Sequence, residues 1–218
     1  MKKYSFLSVI LILFVVNSFP VQAQRQHNKV RWQDEISSNY FYIKCAKSNK
    51  YWDLPGKHPN TAKRDLQFQI WDNDNDKYER TFIFPRINGT DYYAIKNLTG
   101  YIVDVAGKKE LSVKEKIQKK TGKKFKMKKD NSVEIQTWDA DPKGIGDWQQ
   151  WRIIVVDRNT FMLENVFSRK AISVEGGGMG IESNGSKLVQ WDRNGNSGQL
   201  FQLVYAEGRR AGQLLEFE

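Results

Sequence analysis

The segment Val133–Trp151, VEIQTWDADPKGIGDWQQW, decides the fold of this chain. Apolar and polar residues alternate at its start, which predicts a half-buried β-strand that ends at Trp138. A turn-rich stretch of Asp, Pro and Gly follows, and the segment closes on the triplet Gln149-Gln150-Trp151. Strand, long turn and closing triplet therefore form one structural unit.

The same layout occurs twice more in the chain. Residues 68–72 (FQIWD) lead through an Asn/Asp-rich turn to residues 81–83 (TFI). Residues 188–192 (LVQWD) lead through a short turn to residues 199–201 (QLF). Three segments with one order of elements predict an internal repeat.

Each copy also has a common upstream part. An aromatic-x-aliphatic-x-Cys/Asn motif is followed 11 or 12 residues later by the centre of an aliphatic triplet. From that centre to the Trp there are 18 residues in two copies and 34 in the second copy, an insertion of 16. Four short strands per copy, bounded by turn residues, predict an all-β domain. The aromatic residues are Phe41, Tyr93 and Phe161, and the triplet centres are Asp53, Asp104 and Ser173.

This pattern resembles the ricin B-type lectin family, whose fold is a three-fold β-trefoil with a Q-x-W motif at the end of each repeat. The resemblance covers roughly residues 39–205, with repeats at about 39–86, 91–156 and 160–205. It implies a β-trefoil, in which the Lys-rich segment described below is an insertion in the second repeat. It also implies that the aromatic residues of the closing motifs, Trp151, Phe82 and Phe201, fill the core.

The resemblance further implies sugar sites. In the family, an Asp from the triplet accepts hydrogen bonds from sugar hydroxyls, and an aromatic residue at the end of the third strand stacks on the sugar ring. A Gln two residues earlier and an Asn-Gln pair complete the pocket. A pyranose, with an apolar face and a rim of hydroxyls, suits such a site. The second repeat supplies Asp104, Gln136, Trp138 and Gln149, although Trp148 replaces the Asn.

The first repeat matches the sugar-site pattern less well. It supplies Asp53, Gln69 and Trp71, while Glu79 and Arg80 replace the Asn-Gln pair. In both repeats an alternative interpretation stays open, since the Trp ring can pack on a neighbouring hairpin and the Asp can bond backbone amides of its own turn.

The third repeat has lost most of the pattern. Trp191 and Gln199 are kept, but Ser173 replaces the Asp and Val189 replaces the strand Gln. Gln190 is one position away and is expected to face the other side of its strand. The Asp that follows each third-strand Trp is interpreted as a turn residue. These residues are Asp72, Asp139 and Asp192.

The net charge of +10 is concentrated in residues 108–129, which hold eleven Lys and two Glu. Apolar residues alternate with Lys about Thr121-Gly122, which predicts an extended β-hairpin. One interpretation is a solvated protrusion that keeps the protein soluble. The other is an anion-binding finger for acidic glycans, nucleic acid or an anionic membrane, and nucleic acid is disfavoured because no stacking platform accompanies the charge. The anion-binding candidates are Lys119, Lys120, Lys123 and Lys124.

The N-terminus has the features of a secretory signal peptide over residues 1–23. Lys2 and Lys3 precede an apolar stretch, Phe6–Phe19, that is too short to cross a bilayer. We therefore expect a secreted protein, extracellular or periplasmic, without a transmembrane segment. Residues 24–38 are expected to form a polar arm and residues 206–218 a C-terminal tail.

Cysteine and histidine usage limits the chemistry. Cys45 is the one cysteine, and it is interpreted either as a packed core thiol or as a partner in an intermolecular disulfide. The two histidines, His27 and His58, form no cluster with other ligating residues. We expect no metal, no cofactor and no catalytic residues, while the oligomeric state is not predicted by the sequence.

Two functions from different classes follow. The first is a secreted lectin that binds a glycan, in particular an anionic one, on a Trp with hydrogen bonds from Asp and Gln. The second is a protein-binding β-trefoil, such as an inhibitor, an adhesion module or a toxin partner, with degenerate sugar pockets. Loss of the Asn-Gln pair in the repeats favours the second, and the set Asp104, Gln136 and Trp138 favours the first.

Overall fold

The computed structural model describes residues 31–56, 63–73, 80–106, 130–140 and 144–217. The regular elements of these residues are mostly strands, with one α-helix, α1 (Trp32–Ser38), and a few short 3₁₀ turns. The prediction of an all-β protein is confirmed. The strands are β1 (Phe41–Cys45), β2 (Tyr51–Asp53), β3 (Gln69–Trp71), β4 (Thr81–Ile83), β5 (Lys96–Asn97), β6 (Ile102–Val105), β7 (Val133–Trp138), β8 (Trp151–Val155), β9 (Phe161–Asn165), β10 (Ala171–Val174), β11 (Leu188–Trp191) and β12 (Phe201–Tyr205).

Six of these strands pair into a closed ring. β1 pairs with β4 and β12, β4 pairs with β5, and β9 pairs with both β8 and β12. A bridge between Tyr93, just before β5, and Trp151, at the start of β8, completes the ring. On β1 the buried residues alternate with half-buried ones, as the period of a strand requires. A sheet that closes on itself removes the free strand edges that promote aggregation.

The other six strands form three hairpins, β2–β3, β6–β7 and β10–β11. The hairpins also contact one another, since Gln67 bridges Gln136 and Gln69 bridges Lys187. β7 and β11 pair directly. The strands that carry the candidate site residues are therefore held by neighbouring hairpins as well as by their own partners.

Aromatic side chains fill the centre of the protein. The ring of Trp52 lies 5.2 Å from that of Phe201 and 5.9 Å from that of Phe82, both edge-on. Trp151 is fully buried and donates its indole N–H to the carbonyl oxygen of Val103 at 3.1 Å. The prediction that Trp151, Phe82 and Phe201 are core residues is confirmed, because all three are fully buried.

The helix α1 lies in the stretch that the sequence suggested was a polar arm. Ile36 is fully buried, and the ring of Trp32 lies 5.3 Å from that of Phe217 near the end of the chain. The C-terminal segment returns to the barrel, where the Leu215 N–H donates to the carbonyl oxygen of Leu203 at 2.9 Å. A seven-residue helix is too short to be stable in isolation, so this packing is what stabilises it.

Cys45 is a free thiol that is fully buried on β1. Desolvation by this burial raises the pKa of the thiol to about 12. A thiol that stays protonated and out of contact with solvent is unreactive. These features agree with the core-thiol interpretation rather than with an intermolecular disulfide.

The β-hairpin predicted for residues 108–129 and the signal peptide predicted for residues 1–23 lie outside the described residues. Within the described part of the chain, no helix has the length and apolar character needed to cross a membrane.

Candidate functional site

The register of β6 and β7 brings the candidate residues of the second repeat together. Asp104 lies opposite Gln136, and Ile102 lies opposite Trp138. Because alternate residues of a strand face the same side, Asp104, Gln136 and Trp138 share one face of this hairpin. Gln136 Nε2 lies 3.5 Å from Asp104 Oδ2, which is the outer limit of a hydrogen bond. The result is a buried, loosely joined polar pair beside a half-buried indole.

An arginine covers one face of that indole. The guanidinium carbon of Arg64 lies 5.7 Å from the centroid of the Trp138 ring, within the range of a cation–π contact. Arg64 also forms an ion pair with Asp139. Its side chain is 59% exposed, so a sugar that stacks on this face has to displace only a surface side chain.

The residue at the Gln position of the closing motif, which is Arg80 in the first repeat, has a structural partner in every repeat. At this position the side chain donates to the backbone carbonyl of the Asp that follows the third-strand Trp, and thereby closes the turn. Gln149 is buried in this contact, and its predicted contact with a sugar stays a prediction. The pairs are Gln149 with Asp139 at 3.0 Å, Gln199 with Asp192 at 2.9 Å, and Arg80 with Asp72.

The first repeat brings its candidate residues together, but the Asp already has partners. Asp53 Oδ1 accepts a hydrogen bond from Arg80 Nε at 3.1 Å, and Oδ2 accepts one from Gln69 Nε2 at 2.8 Å. Gln69 Oε1 accepts from Lys187 Nζ at 3.1 Å. Asp53 and Arg80 are both buried, whereas Trp71 is 37% exposed. A sugar hydroxyl that approached Asp53 would have to replace one of these internal bonds.

The third repeat lacks the carboxylate acceptor of the other two, because Ser173 stands at the position of the Asp. Ser173 lies opposite Val189 and donates its hydroxyl to the carbonyl oxygen of Val174. Gln190 is fully buried and donates to the carbonyl oxygen of Asp130 at 2.7 Å, so it does not stand in for the missing strand Gln.

The Asp after each third-strand Trp belongs to a turn that is held by another repeat. Hydrogen bonds from Lys50 and Lys170 hold the pKa of the Asp72 and Asp192 carboxyls, respectively, below the ordinary value of 3.8. This geometry agrees with their interpretation as turn residues. The two lysines belong to the same repeat as their Asp, but each Asp also has a partner from a different repeat, which the sequence did not reveal. The cross-repeat pairs are Asn184 with Asp72, Asn131 with Asp192, and Arg64 with Asp139.

Other predicted features are not tested by this geometry. The four candidate lysines of the insertion, Lys119, Lys120, Lys123 and Lys124, lie outside the described residues. Among the residues that the structure describes, no group of three or more His, Cys, Asp or Glu could hold a metal ion. The expected absence of catalysis, metal and cofactor stays a prediction.

The strand pairing defines an all-β protein of trefoil-like architecture. Residues 147–213 match the family model described as Ricin-type beta-trefoil lectin domain-like. The resemblance to ricin B-type lectin domains is therefore confirmed. No curated protein matches the chain.

Solved structures agree with this fold. A designed 3-fold symmetric protein, ThreeFoil, is 18% identical with a TM-score of 0.57, over 76% of this chain and 97% of that chain. Polyporus squamosus lectin, bound to Neu5Aca2-6Galb1-4GlcNAc, is 16% identical with a TM-score of 0.53, over 77% of this chain and 49% of that chain. An exo-beta-1,3-galactanase from Clostridium thermocellum is 18% identical with a TM-score of 0.57, over 77% and 30%. This chain thus spans about half of that lectin and under a third of the galactanase, and the likeness establishes the fold alone.

Proposed function

We propose that this protein is a secreted carbohydrate-binding lectin whose sugar site lies in the second repeat. The observation that carries the proposal is the difference between the closing-motif residues of the first and second repeats. In the first repeat Arg80 occupies the closing-motif position and pairs with Asp53 at 3.1 Å. In the second repeat Gln149 occupies that position and donates to the backbone of Asp139, so an uncharged amide stands where an arginine blocks the first site.

The chemistry of the second repeat suits a pyranose. A carboxylate such as Asp104 is a strong acceptor for sugar hydroxyls, and the amide of Gln136 can both donate and accept. Its 3.5 Å contact with Asp104 is long, so little is lost when the amide turns to a ligand. Trp138 supplies the apolar platform for the CH face of the ring. This pocket would bind sugar without any covalent chemistry.

An anionic glycan is the ligand class that the charge favours. The basic insertion, residues 108–129, lies between β6, which carries Asp104, and β7, which carries Gln136 and Trp138. A positive potential near the pocket acts over about a Debye length, ~8 Å at physiological salt. It raises the association rate and the affinity of an acidic glycan, and both fall as salt rises. A neutral sugar gains little.

The proposal is tested by a glycan array of the mature protein at low and moderate salt, with the Asp104→Asn variant alongside. We expect a restricted set of bound glycans and a loss of signal in the variant, because an amide is a weaker acceptor than a carboxylate. Binding that is unchanged in Asp104→Asn would contradict the second-repeat site.

The anionic preference has its own test. Residues 115–129 are replaced by a short Asn-Gly turn, and acidic and neutral glycans are titrated at two salt concentrations. We expect a lower affinity and a smaller salt slope for the acidic glycan alone. A matched variant with Lys119, Lys120, Lys123 and Lys124 changed to Gln keeps the length of the insertion and separates charge from shape. Equal affinity and equal salt slope in parent and variants would leave the insertion as a solubility feature.

A protein-binding β-trefoil is the second candidate function. The occupation of Asp53 by Arg80 and Gln69 favours it, since at least one pocket is closed by internal bonds. An array without any bound glycan at either salt concentration would support this function and overturn the lectin proposal.

A further inference from the structure

Glu164, on β9, lies at the centre of three arginines. Its carboxylate oxygens lie 3.3 Å from Arg152 on β8, 3.7 Å from Arg169 and 3.2 Å from Arg193. The side chain of Glu164 is 7% exposed, whereas those of the arginines are 40–57% exposed. We call these four residues the Arg cluster. A buried carboxylate thus holds three guanidinium groups that still face solvent.

The Arg cluster carries more positive charge than its acid can neutralise. Three guanidinium groups surround one carboxylate, which leaves a formal excess of two positive charges. Each guanidinium has five N–H donors, while one carboxylate accepts about four hydrogen bonds. The neighbouring Lys170 and Asp192 form an ion pair of their own and do not compensate the excess. The cluster therefore has donors and charge available for an anion.

The architecture does not require the Arg cluster. Glu164 pairs across two strands with Arg152, and the same register position exists in the other repeats. In the other repeats a lysine stands in place of Glu164 and an uncharged residue in place of Arg152. The Arg cluster is therefore not needed to close the six-stranded ring. The equivalent pairs are Lys44 with Gln202 and Lys96 with Ile83.

An exposed indole lies beside the Arg cluster. Trp191 lies opposite Ala171, and Ala171 lies opposite Glu164, so the three side chains share one face of the sheet. Only the methyl group of Ala171 stands between the other two in this row. The positions equivalent to Ala171 hold the larger Tyr51 and Ile102. Ala171 itself is fully buried, and Trp191 next to it is 39% exposed.

We propose that the Arg cluster and Trp191 form a second glycan site, which binds the carboxylate of an acidic sugar. The planar guanidinium fork matches a carboxylate in two parallel hydrogen bonds, and Trp191 receives the apolar face of the ring. The inference rests on the proposed function in that the carboxylate is carried by a sugar. It differs in its chemistry, because Ser173 replaces the triplet aspartate that would accept hydrogen bonds from sugar hydroxyls, and the ligand is bound through an ion pair instead.

The test follows the indole N–H signal of Trp191 by NMR while methyl β-glucuronide is added to the mature protein. A Trp191→Phe variant assigns the signal, and methyl β-glucoside is the neutral control. We expect the glucuronide to shift the signal and the glucoside to bind at least about tenfold more weakly, the scale of one charge-assisted hydrogen bond. An unmoved signal, or equal shifts with both sugars, would overturn the inference.

Variants locate the anion contact. The double variant Arg169→Gln with Arg193→Gln keeps Arg152 as the partner of the buried Glu164, so the protein should stay folded with an unchanged thermal midpoint. The glucuronide should no longer shift the Trp191 signal. The matched control, Arg158→Gln with Arg209→Gln, removes the same charge at exposed positions and should keep the response. A response that survives in the first variant would contradict the site.

The outcomes also separate this inference from the lectin proposal. If the Trp138 signal shifts and the Trp191 signal does not, the site at the Arg cluster is wrong, and the proposed second-repeat site is unaffected. A Trp191 response together with an array on which Asp104→Asn changes nothing would overturn the second-repeat site and leave the Arg cluster standing.

Discussion

At the residue scale, one position decides how an aspartate of this fold is used. Arg80 donates a hydrogen bond to Asp53. Gln149, at the equivalent position, donates to a backbone carbonyl of its own turn. A buried carboxylate needs a compensating partner, and for Asp53 one such partner is Arg80. The same residue that closes a turn can therefore close a pocket.

We predict that Arg80→Met lowers the free energy of unfolding by about 3–5 kcal/mol, since it leaves the charge of Asp53 buried without its cation. Urea denaturation measures the change. The control is Arg158→Gln, which removes an exposed ion pair with Glu216 and should cost no more than about 1 kcal/mol. Equal costs for the two variants would mean that the Asp53–Arg80 pair is not a buried ion pair in solution.

The sequence predicted which residues would meet at the sites but not how they are occupied. The period of two along β6 and β7 was enough to place Asp104, Gln136 and Trp138 on one face. The reach of Arg80 to Asp53 spans 27 positions in the chain and depends on the path of the turn between them, which residue types alone do not reveal.

At the element scale, the strands could be predicted from the sequence, whereas the helix α1 could not. Alternation and turn residues mark each strand, because one face of the strand must be buried. The helix α1 offers only Trp32 and Ile36 as apolar residues one turn apart, within an otherwise polar stretch. Its partners are supplied by distant parts of the chain, Phe84 and Phe217 among them. Tertiary packing, rather than local propensity, accounts for this helix.

We predict that Ile36→Ala lowers the free energy of unfolding by about 2–5 kcal/mol, as expected for truncation of a fully buried side chain. Leu98→Ala is the control, since Leu98 is 40% exposed on a turn and should change the stability by under about 1 kcal/mol. Chemical denaturation of both variants provides the measurement. If both variants unfold at the same urea concentration, α1 does not pack on the barrel in solution.

At the scale of the whole molecule, one architecture places a third-strand Trp in three different surroundings. The third-strand Trp of each repeat reaches the surface beside a different partner set: Asp104 with Gln136 in the second, an occupied Asp53 in the first, and the Arg cluster in the third. The repeat pattern predicted the fold because it fixes strand order and core. The functions proposed for the repeats differ because the residues around each Trp differ.

The most direct test of the second-repeat sugar site is calorimetric titration of a neutral glycan, chosen from the array, into the parent, Trp138→Ala and Trp71→Ala. Use of a neutral ligand excludes contributions from the Arg cluster and the basic insertion. We predict that Trp138→Ala weakens binding by about 1–3 kcal/mol, with the stacking of bases on aromatic side chains as a guide to magnitude. Trp71→Ala should bind as the parent does. Equal affinities for the parent and Trp138→Ala, or a loss in Trp71→Ala alone, would contradict the account.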